Sequence, residues 1–166
     1  MPTVISKAEA LACLESERSG SCALCDLCQE GSTPRYVLEE GRHAIALLPR
    51  YARRWGHVMI VLREHRTAYR GLPEAHWQEA MRLALRAAQA IESALSPQRC
   101  YVASLGAAVP HPLTYPHLHI HVIPVYEASD TPSTVLTASA GVLVGLAHEW
   151  AALREQLLSV WEQPSQ

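Results

Sequence analysis

The sequence has no stretch approaching the ~18 uncharged apolar residues of a membrane span. Its longest apolar run, around residues 142–147, is interrupted by Gly145 and soon followed by His148 and Glu149. The opening residues, Met1 to Lys7, lack an apolar core of signal-peptide length. The expectation is therefore a soluble, cytoplasmic protein with no membrane partner. An excess of positive charge is also missing, with 14 basic residues against 16 acidic ones and a net charge of −2. Binding to a nucleic acid polymer relies on a basic footprint, so that partner class is disfavoured, while a single nucleotide needs only a few placed groups. Nor does the chain need a disulfide scaffold. Its 166 residues are 49% apolar, enough for one domain with its own core. Repeats and low-complexity tracts are absent.

What is present begins with five cysteines, three of them within seven residues, Cys22, Cys25 and Cys28. In a reducing compartment, thiols so closely spaced point to metal or redox chemistry. Cys13 and Cys100 stand alone and read as small buried hydrophobes.

Ser6-Lys7-Ala8-Glu9 has the form of a capping box, predicting a short helix that stops near Gly20. The cysteines then follow on a turn or knuckle. Residues 36–40 and 43–48 read as strands of a hairpin divided at Gly41, and 57–62 as another strand. Pro73 suits a helix first turn. Beyond it Trp77, Met81, Ala84, Ala88, Ile91 and Leu95 recur at helical spacing, and Ser96-Pro97 ends the helix. Residues 100–105 read as a strand, and 126–139, rich in Ser, Thr and Pro, as a linker or loop. A C-terminal amphipathic helix over 140–162 is predicted from Leu143, Leu146, Trp150, Leu153, Leu157 and Val160. The whole is α+β, a mostly antiparallel sheet with a central helix and terminal helices packed on it.

The most informative stretch is His117-Leu118-His119-Ile120-His121-Val122-Ile123, bounded by Pro116 and Pro124. Side chains alternate along a strand, so three imidazoles share one face at ~7 Å spacing. Leu118, Ile120 and Val122 point the other way into the core, and their burial locks the register. A chance surface cluster would not need an apolar residue at every intervening position. Three histidines binding one metal are a further alternative.

This His-φ-His-φ-His-φ-φ pattern resembles the signature of the histidine-triad (HIT) superfamily. Cys22-Ala23-Leu24-Cys25 is similar to the zinc knuckle of its metal-bearing branches. Residues 55–65, from Trp55-Gly56-His57 to Arg63-Glu64-His65, look like their strand ending in a ligand histidine, and 101–106 like the strand before the triad. The likeness covers about residues 20–125 and implies a HIT-like domain over 1–125 with an N-terminal zinc knuckle. It implies a structural Zn²⁺ held by Cys22, Cys25, His65 and His117, a closed four-ligand site. Cys28 leaves two alternatives open, a substitute fourth ligand or a redox centre.

The resemblance further implies that His119 is the nucleophile towards the α-phosphorus of a nucleotide and that His121 polarises the phosphate oxygens. The product of the first step would be a covalent nucleotidyl-histidine, resolved by water in a hydrolase or by a second phosphate in a transferase. Dinucleoside polyphosphates and nucleoside phosphoramidates are the implied substrates, and a homodimer the implied assembly. Two departures from the pattern stand out. Relatives usually carry an asparagine near Ser104 or Ala107, and this chain contains none; Ser104 is the candidate substitute. The residue that often holds the ribose is replaced around Leu47-Leu48-Pro49. Arg50-Tyr51-Ala52-Arg53-Arg54-Trp55 is a basic aromatic turn whose arginines can pair with phosphate and whose Trp can stack on a base, with Arg50 and Trp55 the candidate contacts, although such a run also occurs as a solvated loop. The loop over 106–116 is extended, as an active-site cap or a surface insertion. His57 reads as a satisfied core histidine. A nucleotide-binding protein without turnover, and a metalloenzyme using all three histidines, complete the set of functions.

Overall fold

A computed structural model describes residues 2–17, 22–29, 35–106 and 115–161. Five strands form one antiparallel sheet in the spatial order β2-β3-β4-β6-β5. They are β2 (Tyr36–Glu40), β3 (Ala44–Leu48), β4 (Val58–Leu62), β5 (Arg99–Ser104) and β6 (His119–Val125). The long helix α3 (Glu74–Leu95) and the C-terminal α5 (Ala147–Trp161) pack on one face. There Ala44, Ala46, Val58, Ile60, Leu118, Ile120 and Val122 meet Leu83, Ile91, Trp150, Leu153 and Leu157 in one core. Odd and even positions of each strand separate cleanly, as a pleated sheet requires. Ile45, Leu47, Met59 and Val61 lie on the opposite face, covered by Leu24 of α2 (Ala23–Leu27) and by Tyr115. The fold class is thus the expected α+β arrangement.

Several elements differ from the sequence reading. The cysteines sit on and beside the short helix α2, with Cys22 as its N-cap and Cys28 as its C-cap. The Ser6–Glu9 capping box is formed, Ser6 N–H to Glu9 Oε2 at 2.8 Å and Glu9 N–H to Ser6 Oγ at 3.2 Å, and α1 spans Lys7–Glu17. Its expected end near Gly20 lies outside the described residues. On α3 the buried stripe is Ala80, Leu83, Ala84, Ala87, Ala90 and Ile91, rotated from the predicted one, and Met81 is exposed. Alanines at the contact let the helix lie close to the sheet, so bulk alone misplaced the stripe. Strand β6 begins at His119 and runs through Pro124, opposite Cys100.

Residues 126–139 are more than a linker: Thr131 caps the one-turn helix α4 (Pro132–Leu136). The C-terminal helix starts at Ala147, not at 140. Leu143 belongs instead to β7 (Val142–Val144), which pairs with β1 (Thr3–Ile5). Gly141, at φ 89°, sits at the entry to β7, and a Cβ there would meet the Ile5 carbonyl at 2.6 Å. Strand pairing has overridden an accidental helical spacing. This two-stranded strap also bridges to Ala52, with backbone hydrogen bonds of 3.1 and 2.7 Å between Ala52 and Leu143. It thereby pins the loop between β3 and β4.

Candidate functional site

The histidines lie on the sheet face away from α3. His121 is opposite Met59 on β4 and Ala103 on β5, and His119 is opposite Val61. His117 lies just before β6. All three are buried. They divide between two sets of neighbours.

His117 turns towards the knuckle. Its Nδ1 lies 3.3 Å from Cys22 Sγ and 3.5 Å from Cys25 Sγ, and His65 Nδ1 lies 3.3 Å from Cys25 Sγ. The four donor atoms are all within 4.8 Å of one another. A tetrahedral Zn²⁺ with bonds of ~2.0–2.3 Å needs donors separated by ~3.3–3.8 Å, so both the set and its spacing fit that ion. His117 Nε2–H donates to the Leu62 carbonyl at 2.7 Å, which fixes the tautomer with a bare Nδ1 facing the thiols. Burial and then the neighbouring Cys22 push the Cys25 thiol up to about 12, so a bound cation would have to displace protons. Arg63 steadies the same corner through Gly41 O at 2.8 Å, Cys28 O at 3.3 Å and Glu40 at 2.7 Å. Cys28 stays out of the cluster: its Sγ is 3.7 Å from the Leu62 carbonyl, and burial raises its thiol to about 11.

His119 takes the other direction. Its Nδ1 is 2.7 Å from the His117 carbonyl, and its Nε2 is 3.1 Å from His121 Nε2. His121 Nδ1 in turn is 2.9 Å from His57 Nε2, and His57 Nδ1 accepts from the Arg53 backbone N–H at 3.2 Å. The two ends of this chain are main-chain groups of fixed polarity, a donor at Arg53 and an acceptor at His117. With neutral rings only one tautomer series satisfies every link. His57 carries its proton on Nε2, His121 on Nε2 and His119 on Nδ1. The Nε2 lone pair of His119 is therefore left facing an N–H that a phosphoryl oxygen can take over.

Burial keeps these rings neutral. It pushes His119 down to about 4, against the opposing pull of the His117 carbonyl and with help from His117 and Arg53. His57 and His121 are likewise held well below the ordinary imidazole value, by burial first and then by neighbouring charges that include Arg53. Tyr115 closes one side of the site, its ring 6.1 Å from that of His119 in an edge-on arrangement.

The remaining predicted site residues are elsewhere. Ser104 is opposite Ile120, on the helix face of the sheet, and its Oγ is 2.6 Å from the Tyr69 hydroxyl, which donates to it. Trp55 stacks on Trp150 with centroids 5.2 Å apart, also on the helix side. Arg50 is exposed, with its guanidinium 5.7 Å from the Tyr51 ring. The structure does not bring these three to the histidines. Of the extended loop, residues 107–114 lie outside the described residues. Sequence reasoning took His57, the second-last link of the chain, for a core histidine, and named Arg53 only as part of the basic turn. The available signal was parity: His57 shares its strand face with Met59 and Val61, the direct neighbours of His121 and His119. Gly56, at φ 90°, makes the turn that delivers it.

A sheet whose alternate histidines form one hydrogen-bonded chain, beside a two-thiol, two-imidazole cluster, defines a narrow class. The HIT domain family profile matches residues 30–128, more than half of the chain, and the protein belongs to this family. Similar solved structures include a zinc-bound histidine triad family protein from Mycobacterium smegmatis, with TM-score 0.63 and 19% identity over 84% of this chain and 95% of that one. A hypothetical histidine triad nucleotide-binding protein from Sulfolobus tokodaii gives TM-score 0.65 and 19% identity, covering 85% and 92%. A uridylyltransferase gives 0.62 and 22%, covering 96% of this chain and 51% of its own. At such identities the likeness is one of fold. No curated protein sequence matches the chain. Among the described residues, no helix is long and apolar enough to cross a membrane.

Proposed function

We propose that this protein is a nucleotidyl hydrolase or transferase acting at the α-phosphate of a nucleotide substrate, through a covalent nucleotidyl intermediate on His119. The observation that carries this reading is the His119 Nε2 lone pair, left unprotonated by a hydrogen-bond chain anchored on backbone at both ends.

In this mechanism the phosphoryl group enters between His119 and His121. His121 Nε2–H releases His119 and donates to a phosphoryl oxygen, while His119 Nε2 attacks phosphorus and the bond from phosphorus to the leaving group breaks, its electron pair departing with that group. The His117 carbonyl, accepting from His119 Nδ1–H, holds the ring in line and stabilises the charge it gains. His57 keeps the His121 proton on the correct nitrogen. Water or an acceptor phosphate then takes the nucleotidyl group. Cys22, Cys25, His65 and His117 would hold a structural Zn²⁺ that ties the N-terminal knuckle to the start of β6, with no open position for chemistry. The test is His119→Ala, assayed on a dinucleoside polyphosphate and a nucleoside phosphoramidate, with mass spectrometry of the quenched wild-type protein for a nucleotidyl adduct. An unchanged rate in the variant would sink the proposal.

A second reading is a nucleotide-binding protein with little turnover. It is favoured by the lack of any asparagine and by the position of Ser104 on the opposite face. Binding of a nucleotide by wild-type protein that cleaves no nucleotide ester would select it.

A further inference from the structure

Arg53 and Arg54 are adjacent in sequence and opposite in circumstance. Arg54 donates to Asp130 Oδ1 through Nε at 2.6 Å and is neutralised there. Arg53 is only 6% exposed, forms no ion pair among the described residues, and has a buried Nη1 with no hydrogen-bond partner. A buried guanidinium without a counter-charge is costly, and such groups are retained where an anion arrives to complete them. Burial lowers this group to about 10, so it still carries its charge at neutral pH. Its main chain is fixed beside the histidines, because its backbone N–H starts the chain at His57, and its guanidinium charge is close enough to act on the His57, His119 and His121 rings.

The histidine chain itself has no proton to spare. Each ring N–H is committed to the next link or, once substrate enters, to a phosphoryl oxygen. A leaving group that must be protonated, such as an amine, finds no donor in that chain. One that departs as a stable anion needs only a cation.

We propose that Arg53 is the anchor for the phosphate leaving group, and that it makes this site selective for phosphoanhydride substrates over phosphoramidates. As the bond from His119 Nε2 to the α-phosphorus forms, the bond from that phosphorus to the bridging oxygen breaks. The electron pair stays on the bridging oxygen, the leaving phosphate departs without a proton, and the Arg53 guanidinium receives it. This assignment rests on the function proposed above.

Inorganic pyrophosphate probes the anchor without depending on the base. Calorimetry should show it binding wild-type protein, with affinity reduced about 30-fold or more in Arg53→Met. Arg53→Lys, which keeps the charge and loses the fork, should fall between them. In the absence of ligand, Arg53→Met should melt at or above the wild-type temperature, because it removes an unpaired buried charge; a structural role would lower it. With matched substrates, the variant should lose about 100-fold in kcat/KM on a dinucleoside polyphosphate and under about 3-fold on a phosphoramidate. Undiminished pyrophosphate affinity in both variants, no binding by wild type, or equal losses on the two substrates would each overturn the proposal. His119→Ala separates it from the function itself, because that variant should keep pyrophosphate affinity while losing turnover. If turnover survives in His119→Ala but pyrophosphate binding still depends on Arg53, only the nucleophile assignment fails.

Discussion

His117 and His119 are two residues apart, both buried, and each donates one ring N–H to a backbone carbonyl, yet they turn to different partners. His117 donates through Nε2 and presents Nδ1 to the thiols. His119 donates through Nδ1 and presents Nε2 to His121. The identity of the side chain therefore decides nothing by itself. Which nitrogen meets the carbonyl decides whether the ring presents its other nitrogen to the thiols or to the neighbouring imidazole.

The sharpest break of this comparison is His119→Ala. Turnover should fall by about 10³-fold or more in a single-turnover assay, while elemental analysis still finds one zinc per chain. Metal lost along with activity would mean the two ends are one site. The mirror experiment is Cys25→Ser. It should empty the metal site and lower Tm by roughly 10 °C, on the scale where about 3 kcal/mol of stability is lost in a chain of this size. Phosphoryl chemistry should persist at low temperature, because the His117 carbonyl remains. Next in size is His57→Phe, expected to reduce kcat about 10- to 100-fold with zinc content unchanged. His57→Gln, which can both accept and donate, should recover part of that loss.

The smallest effect lies away from both ends. Burial works to raise the Asp130 carboxyl, but Arg54 and the amides of Tyr126 and Glu127 outweigh it and hold the group low. Its folded pKa is depressed, so its contribution is complete above the ordinary carboxylate value of about 4. That contribution is lost as the pH falls through the folded value. Asp130→Asn should cost about 2 kcal/mol in urea unfolding at pH 7, and the gap to wild type should narrow towards pH 3.

Much of the site could be read before any coordinates. The alternation from His117 to Ile123 placed Leu118, Ile120 and Val122 in the core, and the Cys22–Cys25 spacing marked the thiol pair. Such features depend on the period of a single strand or turn. Ser104 was misplaced because its face depends on the register between β5 and β6, a tertiary quantity. Trp55 was misplaced because the Gly56 turn separates it from His57, sending one ring to Trp150 and the other to His121. Arg53 was named only within a run of basic residues that look alike in a string and differ in burial and in whether Asp130 is at hand.

The anchoring of the histidine chain on an amide at Arg53 and a carbonyl at His117 has one more consequence. A mutation can replace any ring in the series, but no substitution except proline alters what the peptide unit at either terminus offers. The direction in which protons point is thus inscribed in the course of the main chain. Sequences that diverge almost everywhere can inherit it intact, provided the strand and the preceding turn keep their path.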